Sequence, residues 1–192
     1  MGILPIVEGQ SEVESIRVLI SRIMHHTNIF TEILKPFRVK RNQIVKTGEL
    51  ERAVDAGIRT RANVSAIIVL LDADDDDPDM LRQQLLERLG SCLGETVDYS
   101  VVIANKELEC WFLSAKESLS GVRGIRTNAV SPSNPESIRA AKGHLTRNMD
   151  RGFRYNEVDD QPAFAYSLDM DAAREKSPSF RLFVSEVERL IR

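Results

Sequence analysis

Ala66-Ile67-Ile68-Val69-Leu70-Leu71-Asp72-Ala73-Asp74 is the stretch whose reading decides the fold. An unbroken apolar run of strand length, flanked by polar turns, reads as a strand buried on both faces. It ends abruptly in carboxylates. Near the start, Leu4-Pro5-Ile6-Val7-Glu8-Gly9 has the same form, with Glu12 shortly behind. Ile3 to Val7 is the strand there, and Gly9 ends it. Tyr99 to Ala104 reads as another buried strand.

Helical patterns fill the intervals. Ser11-Glu12-Val13-Glu14 has the form of a capping box, with Ser11 as N-cap. The apolar stripe Val13, Ile16, Leu19, Ile20, Ile23 carries that helix to about His25. Ile33 to Val39 is extended, but Pro36 makes it an edge strand or a broken one. Thr47 or Gly48 opens a helix through Leu50, Val54 and Ile58, and Pro78 opens another through Leu81, Leu85, Leu86 and Leu89. Leu108 to Leu113 reads as one more. Alternating strand and helix predict an α/β fold, a mostly parallel sheet flanked by helices.

That pattern covers residues 1–118, which we take as the core. Residues 119–192 read as a helical C-terminal extension packed on the core or on a partner. Gly121 to Asn134 is a loop, and Asn134-Pro135 and Ser177-Pro178 each open a helix. The last helix places Phe180, Phe183, Val184, Val187, Leu190 and Ile191 on one face.

Bulk properties narrow the function classes. A net charge of −3 over 192 residues argues against a general nucleic-acid coat protein, though not against a local basic groove. Two cysteines, Cys92 and Cys110, make neither a disulfide framework nor a metal-ligand pattern. No secretory leader or membrane span is legible, so a reduced, cytoplasmic setting is expected.

Open α/β sheets bind ligands beyond the carboxyl ends of their strands, where both acidic motifs fall. Side chains alternate along an extended chain, so Asp72 and Asp74 are expected on one side. If the two strands are neighbours, about 4.8 Å apart, Glu8 reaches the same pocket. Carboxylates gathered there repel one another unless a hard cation joins them, and Mg²⁺ (or Mn²⁺) suits oxygen ligands. Such a site fits phosphoryl transfer. Glu8 is alternatively a general acid/base if its pKa is raised. Asp75, Asp76, Asp77 and Asp79 read mainly as a solvated helix cap. A calcium loop starting at Asp72 needs Gly sixth and Glu twelfth, where Asp77 and Gln83 stand. Neither a phosphate-binding P-loop nor a dinucleotide fingerprint is present.

Glu8 and Asp72-x-Asp74 resemble the signature of the TOPRIM domain, a Rossmann-like metal-binding fold of topoisomerases, primases and certain nucleases. A resemblance over nearly the whole chain is to the bacterial TOPRIM-like family of domain of unknown function 4276. It rests on Val7-Glu8-Gly9 with Glu12, Leu71-Asp72-Ala73-Asp74, Glu107 to Leu113, Ala141-Lys142 with Leu145, Tyr155, Ala173-Arg174 and Ser177 to Phe180. It departs where a lysine often follows the family's tyrosine, since Asn156 and Glu157 follow Tyr155. Members are commonly encoded beside ATPases, which implies a two-component system in defence or repair.

The resemblance implies an Mg²⁺ site, with Glu8, Asp72 and Asp74 catalytic and Glu12 and Glu109 as further ligands. Glu107 and Glu109, two apart, do not share a helix face, so one of them faces the pocket. Trp111 is expected in the core. Two basic stretches are candidate grooves: Lys35, Arg38, Lys40, Arg41 and Lys46, then Lys142, His144, Arg147, Arg151 and Arg154. Lys142 and Arg147 are the substrate-binding candidates. His25-His26 reads as a helix C-terminal dipole partner. The leading expectation is a Mg²⁺-dependent nuclease acting on DNA or RNA with a partner ATPase. The alternative is a non-catalytic TOPRIM-like module that binds an ATPase or nucleic acid.

Overall fold

In the computed structural model, which describes residues 1–192, the apolar runs lie side by side. The strands are β1 (Gly2–Val7), β2 (Glu32–Ile33), β3 (Phe37–Arg38), β4 (Val64–Asp72) and β5 (Asp98–Ala104). Their order is β2-β1-β4-β5, with β3 also on β1, and every pair is parallel. Pro36 does break the 33–39 segment. Its halves pair separately with β1, Ile3 opposite Ile33 and Ile6 opposite Phe37. Leu4 and Pro5 are left without partners on that side, where Pro5 has no N–H to offer.

Both faces of the sheet are covered, which is why its strands are continuously apolar. On one face, Leu4, Ile6, Ile67, Val69, Leu71, Val101 and Ile103 pack on α2 (Arg41–Ile44), α3 (Glu49–Arg59) and α4 (Pro78–Leu93). On the other, Ile3, Val7, Ile68, Leu70 and Val102 pack on α1 (Gln10–Thr27) and the C-terminal helices. These are α5 (Glu109–Ser114), α6 (Ala141–Arg147), α7 (Glu157–Ser167), α8 (Met170–Lys176) and α9 (Pro178–Leu190). α7 lies along α1, while α9 packs on β5 and α1. Trp111 is fully buried against Phe180 and Phe183, and its Nε1 donates to Ser179 Oγ at 2.8 Å. No helix is long and apolar enough to cross a membrane.

Two local expectations are corrected. α1 starts at Gln10 with Gly9 as N-cap, so the capping box is Gly9/Glu12 rather than Ser11/Glu14. The Glu12 carboxylate wins because it reaches back to the N–H groups of Glu8 and Gly9, while Glu14 pairs with Arg17 on the surface. Asn134-Pro135 opens a single 3₁₀ turn, Pro135–Ser137, because Ile138 returns to extended backbone. Asp77, from the acidic run, caps α4 by accepting the N–H groups of Asp79 and Met80.

The 3₁₀ turn has its own task. Buried Glu136 accepts from the Ser177 and Ser179 hydroxyls and, at 2.9 Å, from Ser179 N–H. It therefore pins the first turn of α9. Glu136→Ala strands those donors, and we expect a loss of roughly 3 kcal/mol. Urea melts of the two proteins check it, and Glu136→Gln should recover part of the loss.

Candidate metal centre

β1 and β4 run in parallel with Val7 opposite Leu70, so both end at the same edge. The chain leaves β1 toward β2 and β3, while β4 sits on its other side. That reversal of winding opens a crevice at the carboxyl ends. Glu8 follows β1 directly, Asp72 is the last residue of β4, and Glu12 hangs from the first turn of α1. Oxygens of these three carboxylates lie within 4.8 Å of one another.

Two of the three carboxylates are held by backbone N–H groups. Glu12 Oε2 accepts from Glu8 N–H at 3.1 Å and Gly9 N–H at 3.2 Å, leaving Oε1 free. Asp72 Oδ1 accepts from Leu108 N–H at 2.7 Å. Glu8 Oε2 is buried and has no hydrogen-bond partner. An anionic oxygen withdrawn from water with no donor is one that a cation would satisfy. The donor set is all oxygen, as Mg²⁺ and Mn²⁺ prefer. The residues present therefore fit a hard divalent ion, with Glu8, Glu12 and Asp72 as its holders.

Electrostatics give the same picture. Burial, reinforced by the charge of Glu8, lifts the Glu12 carboxyl to about 7, against the pull of its two N–H donors. Asp72 is raised well above its ordinary value, first by burial and then by Glu12, Glu109 and Glu8. Burial raises Glu8 too, with Arg41 opposing and Asp74 adding. Mutual repulsion and burial thus outweigh the positive charge that Arg41 and Lys142 supply, and a cation among the carboxyls would relieve both.

Glu109 enters from α5 and is 1 % exposed. Its Oε1 accepts from Tyr155 Oη–H at 2.9 Å and Gln161 Nε2 at 3.3 Å, with Lys142 Nζ at 3.9 Å. Ser15 Oγ–H donates to Gln161 Oε1, which orients that amide. Burial raises the Glu109 carboxyl, and Lys142 is the main opposing influence. Lys142 also pairs with Glu157. Burial pulls the Lys142 ammonium down, but Glu109 and Glu157 together lift it above its usual range.

Arg41 braces the β4 turn. It donates to the carbonyls of Asp72 and Ala73 and pairs with Asp74 at 3.1 Å and with Asp76. Asp74 stays outside the cluster. The strand stops at Asp72, and Asp74 takes a left-handed backbone (φ 51°), so the expected alternation fails and its half-exposed carboxylate turns to Arg41. Glu107 also faces away, with Oε1 accepting from Ala141 N–H at 3.2 Å. Arg147 is exposed on the last turn of α6 and does not line the cleft.

Reasoning from sequence did not assign Gln161, Glu157 or Arg41 to the site. Arg41 stood in a flagged basic stretch and Tyr155 in the family resemblance, but nothing local marks Gln161.

Gly9 sets a steric limit. Its backbone (φ −94°, ψ 155°) suits any residue, but an added Cβ would lie 2.9 Å from Glu12 Oε1. Glu12 cannot retreat without losing its two N–H donors. Gly9→Ala should weaken divalent-ion binding about tenfold, the scale of a disturbed outer-shell contact. Calorimetric titration with Mn²⁺ checks it.

An α/β protein with a carboxylate cluster at the switch point of a parallel sheet is the class that fold and site define. Residues 7–188 match the family model for the Domain of unknown function DUF4276, and the chain belongs to that family. No curated protein and no solved structure matches the chain.

Proposed function

We propose that this protein is a TOPRIM-like, Mg²⁺-dependent nuclease that hydrolyses phosphodiesters of DNA or RNA. One observation carries the reading: Glu8 Oε2 is buried without a donor inside a three-carboxylate cluster at the carboxyl ends of β1 and β4. A bound Mg²⁺ supplies Lewis-acid stabilisation of phosphoryl oxygens and a water of lowered pKa. The chain's own residues do the positioning. Leu108 N–H orients Asp72, the Gly9 cap orients Glu12, and Tyr155 with Gln161 orients Glu109. Lys142 supplies positive charge on the Glu109 side. Joint action with an ATPase rests on the family resemblance.

The test incubates the purified protein with supercoiled, linear and single-stranded DNA and with RNA, in Mg²⁺ or Mn²⁺, with and without the neighbouring ATPase. Cleavage by the native protein that is lost in Glu8→Ala and Asp72→Ala supports the reading. No cleavage under any condition, together with no metal binding by calorimetry, overturns it. ATPase binding without cleavage returns the non-catalytic partner module instead.

A further inference from the structure

We infer that Arg38 and Lys40 on one flank, and Lys106 on the other, grip a polynucleotide strand laid across the carboxyl ends of β3, β1, β4 and β5. The inference rests on the nuclease reading for its chemistry, but its binding claim is separately testable.

The centre of the cleft is carboxylate and repels phosphate. Attraction must come from cations around it that no carboxylate already holds. Two of the three cations that line the cleft are engaged: Arg41 by two carbonyls and two aspartates, Lys142 by Glu157 and Glu109. None of the ion pairs in the molecule uses Arg38, Lys40 or Lys106.

These three cations sit where a strand across the cleft would meet them. Arg38 is the register partner of Val7, and its Nε donates to the carbonyl of Glu8 at 3.2 Å. Lys40 lines the cleft beside Glu8. On the far side, Ala104 is the register partner of Asp72, and Lys106 follows two residues on. Lys106 Nζ donates to the carbonyl of Asp74 at 3.2 Å, and Asp74 N–H donates back to Lys106 O. Each flank is thus tethered through a neutral carbonyl to a loop that carries an acidic motif, and none of its cations is tied up in an ion pair, although Lys106 shares its pocket with Asp74, Asp75 and Glu107.

The flanks are separated by three inter-strand steps, about 14 Å at the usual sheet spacing. That equals about four nucleotide steps at the duplex rise. A mononucleotide meets one flank, and a longer strand meets both with the carboxylates between them.

The test is fluorescence anisotropy with labelled single-stranded DNA, duplex DNA and RNA oligonucleotides that span both flanks, in Ca²⁺ and over a salt series. The variants are Arg38→Gln with Lys40→Gln, Lys106→Gln alone, and Arg59→Gln at the C-terminal end of α3, five residues before β4, all confirmed folded by circular dichroism. Each flank variant should bind about tenfold more weakly, with a salt slope shallower by about one per cation removed. Arg59→Gln should match the native protein. The probe that shows this dependence identifies DNA or RNA as the ligand. Native-like binding in both flank variants, an equal loss in Arg59→Gln, or no binding of any probe overturns the inference. Flank-dependent binding of a probe that is cleaved in neither Mg²⁺ nor Mn²⁺, by a protein that binds no metal in calorimetry, defeats the nuclease reading alone. Glu8-dependent hydrolysis with flank-independent binding defeats this inference alone.

Discussion

Asp72→Asn should cut Mg²⁺-dependent cleavage by more than about 100-fold, beyond the usual cost of losing an outer-shell partner. The same change should make the metal-free protein more stable. Asparagine keeps the shape of aspartate and still offers an oxygen to Leu108 N–H, which Asp72 Oδ1 accepts at 2.7 Å. What it removes is a buried charge that Glu12, Glu109 and Glu8 all oppose. A residue present only for packing would show no such opposition of activity and stability. Cleavage rates and thermal melts in chelator, on the same preparations, check both halves. Glu8→Gln should behave in the same sense.

Without a divalent ion, stability should fall as pH rises from about 4.5 to about 7. The sign follows from Glu12, whose carboxyl is raised from the ordinary 4.5 to about 7 in the folded protein. Below 4.5 both folded and unfolded chains are protonated, and nothing changes. Between the two values the unfolded chain releases its proton first, so unfolding becomes easier until the folded carboxyl also ionises. Glu12 alone accounts for about 3 kcal/mol, or roughly 6–12 °C of melting temperature for a chain of this size. Asp72 and Glu109 are raised in the same direction, partly by the same mutual repulsion. A bound divalent ion favours the ionised carboxyls, so Mn²⁺ should restore stability at pH 8 and do little at pH 5. Glu12→Gln keeps an oxygen for the Glu8 and Gly9 N–H groups and should flatten the metal-free profile. Melting in chelator and in Mn²⁺ across this range is the check. A flat or rising metal-free profile would contradict the argument.

How far the sequence reveals the molecule depends on the range of the interaction. β1, β4 and β5 were legible because burial on both faces writes a continuous apolar run. α4 and α9 were legible because Pro78 and Pro178 mark their first turns. Glu8 and Asp72 follow from parallel strands ending at one edge. Asp74 shows where that logic stops, because alternation assumes extended backbone and the chain turns left-handed there. The Gly9 cap was missed because Ser11 is the better N-cap by residue type, while carboxylate reach decided the outcome. Glu109, Tyr155 and Gln161 meet across 46 and 52 residues of chain, a distance no spacing rule covers.

Glu8, Glu12 and Asp72 are proposed to hold a divalent cation between them. Calorimetric titration of Mn²⁺ into the native protein, Glu8→Gln and Asp72→Asn tests it most directly. Saturable binding to the native protein that is lost in both variants is the predicted result. No saturable binding to the native protein, or equal binding in all three, would contradict it.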